Sequence, residues 1–389
     1  MAIVDLWLNS RNLIEDKHIQ QIIAISGSGK LLDGSSTSTE FRHFLDQIPS
    51  RVLARYADEC LKDSFKDSGL ALQDIINQVG KRLGFNVNYG RYRGSQSAIG
   101  ADGVWRFPEG HSIIVEIKTT DAYRINLSTI AGYSKELLQS GQIQQDSSSV
   151  LIVVGREDTG DLEAQIRGSR YAWTMRLISV DALLRLMALK ESVEDPQTVQ
   201  RIYDILIPRE FTKLDEIIDV LFSTAEEVKQ DEIADEEQNT SETTRKPKFI
   251  PSDFHASVMD RVQNHLSWNL LKRSRAAYST PAGDKAVICS VSKEYQKPGQ
   301  IGYWFSYHPH QREFFRKAGQ GYLMLGCGSE SNVLAIPFED LESWLEGMNV
   351  TEKPNRSYWH IHIHREDNRL VLHRKKEWAR IDLTKYLIP

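Results

Sequence analysis

Apolar and polar positions follow two different periods along this chain, and each period predicts one kind of element. Between Leu72 and Leu83 apolar residues recur about one helical turn apart, which predicts an amphipathic helix that ends at Gly84. Asn86–Tyr92 instead alternates in polarity and predicts a strand, and the short apolar run Val150–Val154 predicts a buried strand.

Further segments extend this alternation of helices and strands. Helical spacing covers Glu40–Asp63, Ile125–Ser140, Ala182–Leu189 and Thr198–Leu221, and another strand is predicted at Leu177–Val180. Two more strand-like segments lie between residues 100 and 120. The central order is therefore helix, three strands, helix and strand, which is typical of an α/β fold.

Residues 249–389 show a different pattern, with one early helix followed by many short strands. The helix is predicted at Phe254–Ser267, and a second one follows Pro337. Strand-like runs are predicted at Lys285–Val291, Gly302–Tyr307, Gly321–Cys327, Val333–Ile336, Tyr358–Arg365 and Arg369–His373. This pattern predicts a smaller α+β domain with a largely antiparallel sheet.

Composition shifts abruptly between these two parts. Glu226–Thr244 is rich in Glu, Asp, Gln, Ser and Thr and has almost no large apolar residues, so burial cannot offset its chain entropy. We therefore predict an acidic disordered linker at residues 223–248, with a short charged helix as the alternative. The remaining predicted regions are an N-terminal helical region (residues 1–65), the α/β domain (66–222) and an α+β recognition or partner-binding domain (249–389).

Overall composition is that of an ordinary soluble globular protein, and we expect it to be cytoplasmic. The chain has 389 residues, 40% of them hydrophobic, and no apolar run approaches the roughly 20 residues that cross a membrane. The start lacks the features of a signal peptide. Three widely separated cysteines fit a reducing compartment. The net charge of −5 argues against a broad nucleic-acid coat but leaves room for local basic patches.

Charged residues cluster where two predicted strands meet. Gly100–Trp105 places Asp102 at a strand start, and Ile113–Thr120 carries Glu116 and Lys118 on one face of the next strand, because side chains alternate. Two carboxylates and an ammonium group at a strand end suit Mg²⁺, which prefers oxygen ligands, with the lysine beside an attacking water. The alternative is that Glu116 and Lys118 are ordinary solvent-facing charges.

The spacing of these three residues resembles that of the PD-(D/E)xK nuclease superfamily, which has the restriction-endonuclease-like fold. An aspartate is followed by thirteen residues and then Glu-x-Lys, with a helix before and a strand after, although Ala101 stands where the family has proline. The resemblance covers roughly Gly69–Val180. It implies that Asp102, Glu116 and the carbonyl of Ile117 bind Mg²⁺, with Mn²⁺ able to substitute. It also implies that Lys118 orients or deprotonates the attacking water, with burial lowering its pKa.

Other residues near the motif are candidates for accessory roles. Family members often add an acidic ligand from the preceding helix, and Asp74 is the candidate, with a solvated surface charge as the alternative. Thr120, Tyr123 and Arg124 follow the lysine and are candidates for holding the scissile phosphate, while helix capping is a compatible alternative for this segment.

Basic residues in three places are candidates for nucleic-acid binding. The first group flanks the motif strands, the second follows the buried strand Val150–Val154, and the third lies in the second domain. These residues are Arg91, Arg93 and Arg106, then Arg167 and Arg170, then Lys272, Arg273 and Arg275.

Three histidines in the second domain, His360, His362 and His364, alternate along a predicted strand and so share one face. Imidazole is a usual zinc ligand. Same-face neighbours on a strand nevertheless lie about 6.5–7 Å apart, which is too far for all three to reach one ion. The sequence therefore favours a polar exposed face over a zinc site.

Together these features predict a Mg²⁺-dependent DNA endonuclease in restriction or anti-phage defence. Because one active site cuts one strand, double-strand cleavage predicts a homodimer. Three alternatives stay open: a nuclease subunit of a multi-protein defence complex whose second domain binds a protein partner, a non-catalytic nucleic-acid-binding protein with a nuclease fold, and a ribonuclease.

Overall fold

The computed structural model of this chain describes residues 3–63, 65–92, 100–107, 110–119, 124–155, 159–208, 251–297, 300–329, 331–353, 356–367 and 369–388. The chain divides into two compact units, Met1–Asp231 and Glu232–Pro389. Within the described ranges no helix combines the length and the apolarity that a membrane crossing requires. The predicted linker at residues 223–248 lies outside the described residues, and the predicted domain boundaries stay predictions.

The first unit begins with four helices: α1 (Ile3–Asn9), α2 (Ile19–Ile25), α3 (Ser36–Gln47) and α4 (Ser50–Lys62). The helical spacing predicted over Glu40–Asp63 is confirmed, but it is divided between the separate helices α3 and α4. Pro49 explains the break: Ile48 has the extended backbone (φ −83, ψ 149) that a residue before proline prefers. The helices bury their apolar faces in one core with the sheet that follows.

A five-stranded sheet forms the centre of this unit. It follows helix α5 (Ser68–Leu83), which ends at Gly84 with a left-handed φ of 109°. The strands are β1 (Asn86–Tyr89), β2 (Gly103–Arg106), β3 (Ser112–Lys118), β4 (Ser148–Val154) and β5 (Met175–Ser179), in that spatial order. Strand β2 is antiparallel to both β1 and β3, whereas β4 is parallel to β3 and β5 is parallel to β4.

Helices cover both faces of this sheet. The later helices are α6 (Leu127–Gln139), α7 (Gly160–Arg167), α8 (Val180–Ser192) and α9 (Pro196–Ile205). One apolar core joins α5 and α8 to one face, and a second core joins α6 and α7 to the other. The predicted α/β class is confirmed. The helix predicted at Thr198–Leu221 corresponds to α9, and residues 209–221 lie outside the described residues.

The second unit contains three described helices and two sheets. The helices are α10 (Pro251–Leu266), α11 (Pro309–Lys317) and α12 (Phe338–Trp344). The first sheet has the order β12-β11-β8-β7-β6, from β6 (Leu271–Lys272), β7 (Ala277–Ser279), β8 (Lys285–Ser292), β11 (Gln320–Cys327) and β12 (Val333–Pro337). Helix α10 packs on one face of it.

The other sheet of this unit runs β16-β15-β14-β10-β9, and β13 also pairs with β14. Its strands are β9 (Tyr295–Lys297), β10 (Gln300–Tyr307), β13 (Asn349–Lys353), β14 (Arg356–Glu366), β15 (Arg369–His373) and β16 (Ile381–Asp382). A core rich in aromatic residues joins the two sheets. The sequence predicted one sheet; the structure has two, and β8–β11 is the one parallel pair among the described strands of this unit.

Candidate functional site

Strand register brings Asp102 beside Glu116. Gly103 pairs with Val115 in the antiparallel β2–β3 ladder. Asp102, which precedes Gly103, therefore lies opposite Glu116, which follows Val115. The N–H of Asp102 donates to the carbonyl of Val115 at 3.1 Å. The N–H of Ile117 donates to Asp102 Oδ2 at 2.7 Å. Both the main chain and the carboxylate of Asp102 are therefore fixed to β3.

One face of β3 changes from apolar to charged as the strand ends. Ile114 is fully buried in the core beneath α6 and α7. Glu116 and Lys118 continue the same face, with side chains that are 7% and 36% exposed, and Lys118 Nζ donates to Glu116 Oε1. The structure thus brings the three predicted catalytic residues together at one edge of the sheet.

Burial dominates the electrostatics of Asp102. Burial and the charge of Glu116 together raise the pKa of Asp102 to about 7, although the Ile117 N–H bond and Lys118 act in the opposite direction. Burial also lowers the pKa of Lys118, but the hydrogen bond and charge of Glu116 outweigh burial, so the net shift is upward. The lowered lysine pKa expected beside a bound metal stays a prediction.

The donor set fits a hard divalent cation. Glu116 Oε2 is buried and has no hydrogen-bond partner among the described residues, which is costly for a carboxylate oxygen unless a cation satisfies it. Among the described residues no group of three His, Cys, Asp or Glu side chains is placed to hold a metal. The protein would therefore offer two carboxylates and the Ile117 carbonyl, and Mg²⁺ commonly takes its other ligands from water and substrate phosphate.

Tyr133, on helix α6, is a site residue that the sequence did not reveal. A Cβ on Gly100 would lie 2.9 Å from the Tyr133 hydroxyl, so glycine allows this close approach. Burial raises the pKa of Tyr133, and the charges of Glu116, Lys118 and Asp102 all act on it. In the sequence, a half-buried tyrosine on an amphipathic helix is indistinguishable from a packing residue.

Asp74 lies in helix α5 and is fully buried, so the alternative of a solvated surface charge is wrong. Arg42 Nε donates to its Oδ1 at 3.0 Å, and the Tyr92 hydroxyl donates to its Oδ2. Burial raises the pKa of Asp74 to about 6, although Arg42 lowers it. Both oxygens are thus engaged by other residues, and a role as a metal ligand stays a prediction.

The basic residues near the motif are dispersed. Arg91 is exposed. Its carbonyl accepts a hydrogen bond from Nε2 of Gln73, on α5, and the same nitrogen also donates to the carbonyl of Asp102. Arg106 pairs with Ser112, at the end of β3 opposite to Lys118 and therefore roughly 20 Å away along the strand. Arg93 lies outside the described residues.

The segment after Lys118 is only partly described. Thr120 and Tyr123 lie outside the described residues, whereas Arg124 is exposed. The amide of Gln165, on α7, both accepts from the N–H of Ile125 at 3.1 Å and donates to its carbonyl at 2.5 Å. These two bonds connect Ile125, which lies just before α6, to helix α7.

The later basic candidates have local partners. Arg167 pairs with Glu163 on the same helix, and Arg170 donates to the Tyr171 hydroxyl at 2.8 Å. Trp173, three residues further on, is 68% exposed and was not predicted.

In the second unit, Arg273 donates to the Ser279 hydroxyl and to the Thr280 carbonyl. Lys272 and Arg275 are half-buried beside it. Nucleic-acid binding by any of these side chains stays a prediction.

The histidine face of β14 is an aromatic cluster. The rings of His360 and His362 stack 5.7 Å apart at an interplanar angle of 4°, and Trp304 Nε1 donates to His360 Nδ1 at 3.1 Å. Since an indole N–H is only a donor, Nδ1 must accept, and the neutral ring carries its proton on Nε2, next to the Thr351 hydroxyl at 2.6 Å. Both nitrogens of His360 are thereby occupied.

No protein-family model and no curated protein sequence matches this chain.

Proposed function

We propose that this chain is a Mg²⁺-dependent endonuclease that hydrolyses phosphodiester bonds in DNA, built on a core of the restriction-endonuclease-like kind. The observation that carries the proposal is the meeting of Asp102, Glu116 and Lys118 at the end of β3, where one oxygen of Glu116 is buried and no described residue bonds to it. The order α5, β1 to β3, α6 and β4 supports it, because the PD-(D/E)xK resemblance implies this order.

The proposed chemistry assigns one task to each group. Asp102, Glu116 and the Ile117 carbonyl would hold Mg²⁺, which, when bound, neutralises the phosphodiester and the leaving oxyanion without proton transfer. Lys118 is one-third exposed and donates to Glu116 Oε1. It would orient the attacking water or remove its proton.

The substrate and assembly form part of the same proposal. Double-strand cleavage by one active site per chain favours a homodimer. A setting in restriction or anti-phage defence follows from the family resemblance, and it stays a prediction.

Incubation of the full chain with supercoiled plasmid, single-stranded DNA and RNA, with and without Mg²⁺, tests this function. We expect the plasmid to be nicked or linearised only when Mg²⁺ or Mn²⁺ is present. Cleavage of RNA alone would assign the enzyme to the ribonucleases. No cleavage of any of the three polymers with either metal would contradict the proposal.

A further inference from the structure

The main-chain carbonyl of Asp102 is surrounded by three N–H donors. The backbone N–H of Gly90 donates to it at 2.9 Å, Asn77 Nδ2 at 2.9 Å and Gln73 Nε2 at 3.2 Å. A carbonyl oxygen has two lone pairs, so its acceptor capacity is saturated. The residue that the proposed function makes a metal ligand is therefore held by its backbone as well as by its carboxylate.

Both side-chain donors come from helix α5 and are buried, Asn77 completely and Gln73 with 4% exposed. A buried amide is costly unless its groups are bonded, so an apolar residue would serve packing alone better. Trp105 Nε1 donates to Asn77 Oδ1 at 2.9 Å. Because an indole N–H can only donate, the amide must point its NH₂ group toward Asp102.

Gly103 keeps this arrangement sterically possible. A Cβ at this position would lie 2.1 Å from Asn77 Oδ1. Any side chain at residue 103 would thus displace the amide that holds Asp102.

We infer that Gln73 and Asn77 are positioning residues that fix Asp102 opposite Glu116, so that the two carboxylates are preorganised for a divalent cation. The inference rests on the proposed metal-dependent function. Partners in the outer shell of a metal site orient the ligands, and losing one commonly weakens metal affinity about 10–100-fold.

The test compares Gln73→Met with Gln78→Met in the full chain. Gln78 is a matched control, because it is buried on the same helix but accepts its hydrogen bond from the Tyr89 hydroxyl at 3.2 Å. Mn²⁺ affinity is measured by calorimetry, folding by circular dichroism, and cleavage as a function of Mg²⁺ concentration. If the methionine variants do not fold, Gln73→Ala and Gln78→Ala replace them.

We expect Gln73→Met to bind Mn²⁺ about 10–100-fold more weakly, with cleavage recovering at saturating Mg²⁺, while Gln78→Met keeps the original affinity. Unchanged affinity in Gln73→Met, or an equal loss in both variants, would overturn the inference. Absence of Mn²⁺ binding by the original chain would overturn both this inference and the proposed function. Mn²⁺ binding without cleavage would overturn only the proposed function, and the affinity comparison would still decide the role of Gln73.

Discussion

At the scale of single residues, the site places the Asp102 and Glu116 carboxylates so close together that their repulsion lowers the stability of the folded protein. Asp102 lies opposite Glu116, and like charges on facing strand positions repel. Its pKa rises from an ordinary 3.8 to about 7, which means that the folded protein prefers the protonated acid. The stability that this acid contributes is present below about pH 3.8 and is lost as the pH rises toward 7.

Asp102→Asn should therefore stabilise the metal-free fold at pH 8. The shift from 3.8 to about 7 sets an upper limit of about 4 kcal/mol for this gain, at ~1.4 kcal/mol per pKa unit. The asparagine oxygen can still accept from the Ile117 N–H. Urea unfolding in the presence of a chelator measures the effect at pH 8 and at pH 4.5, where the gain should be much smaller. Equal stability of the two proteins at pH 8 would contradict the assigned pKa shift.

The sequence predicted this cluster because strand alternation and a short connection place Asp102, Glu116 and Lys118 by local rules alone. Gln73 and Asn77 could not be predicted in the same way. Their role depends on which face of α5 meets β2, and that contact is a property of the tertiary packing. The one signal in the sequence was the presence of amide residues at positions of α5 that lie between closely spaced apolar residues.

At the scale of elements, helix α5 and strand β2 are fitted to each other through Gly80. A Cβ at Gly80 would lie 2.5 Å from the indole ring of Trp105, which is fully buried. Gly132, in α6, offers a contrast, since no atom of the described residues lies within 4 Å of a Cβ built there. Both glycines lie inside helices, so a change to alanine brings the same gain in helix propensity at each position.

Gly80→Ala should destabilise the protein by about 1–3 kcal/mol, because it overpacks the contact with Trp105. Gly132→Ala should instead stabilise it by roughly 0.5–1 kcal/mol, because alanine is the better helix former and space is free. Denaturant unfolding of both variants measures the difference. A gain in stability for Gly80→Ala would show that α5 does not pack against Trp105 in this way.

Elements with strong periodicity could be predicted, and those that depend on distant partners could not. The helix before Gly84 and the strand at Val150–Val154 are confirmed as α5 and β4. Apolar residues keep their helical spacing on both sides of Pro49, so periodicity alone did not show the break between α3 and α4. The proline itself was the signal that the helix ends there. Strands as short as β6 and β7 carry too few residues for a period, and their pairing with β8 is what defines them.

At the scale of the whole molecule, the chain joins two units that each have their own core. The first unit contains the candidate metal site. In the second unit, the basic residues that predicted nucleic-acid binding are partly engaged in local bonds, as for Arg273. Its role therefore has to be measured directly.

We expect a fragment of residues 232–389 to bind DNA with an affinity that falls as salt rises, because phosphate contacts release counterions. Fluorescence anisotropy with a labelled duplex at several salt concentrations measures this, and circular dichroism checks that the fragment is folded. No binding by the folded fragment at low salt would instead favour recognition of a protein partner.

The central claim is that the carboxylates at the end of β3 hold a cation that cleaves DNA. The most direct measurement is the initial rate of Mg²⁺-dependent plasmid cleavage by the original chain, by Glu116→Gln and by Glu163→Gln, an exposed glutamate on α7 that serves as control. We predict that Glu116→Gln is folded but loses activity by at least about 100-fold, while Glu163→Gln cleaves at the original rate. Undiminished cleavage by folded Glu116→Gln would contradict the account.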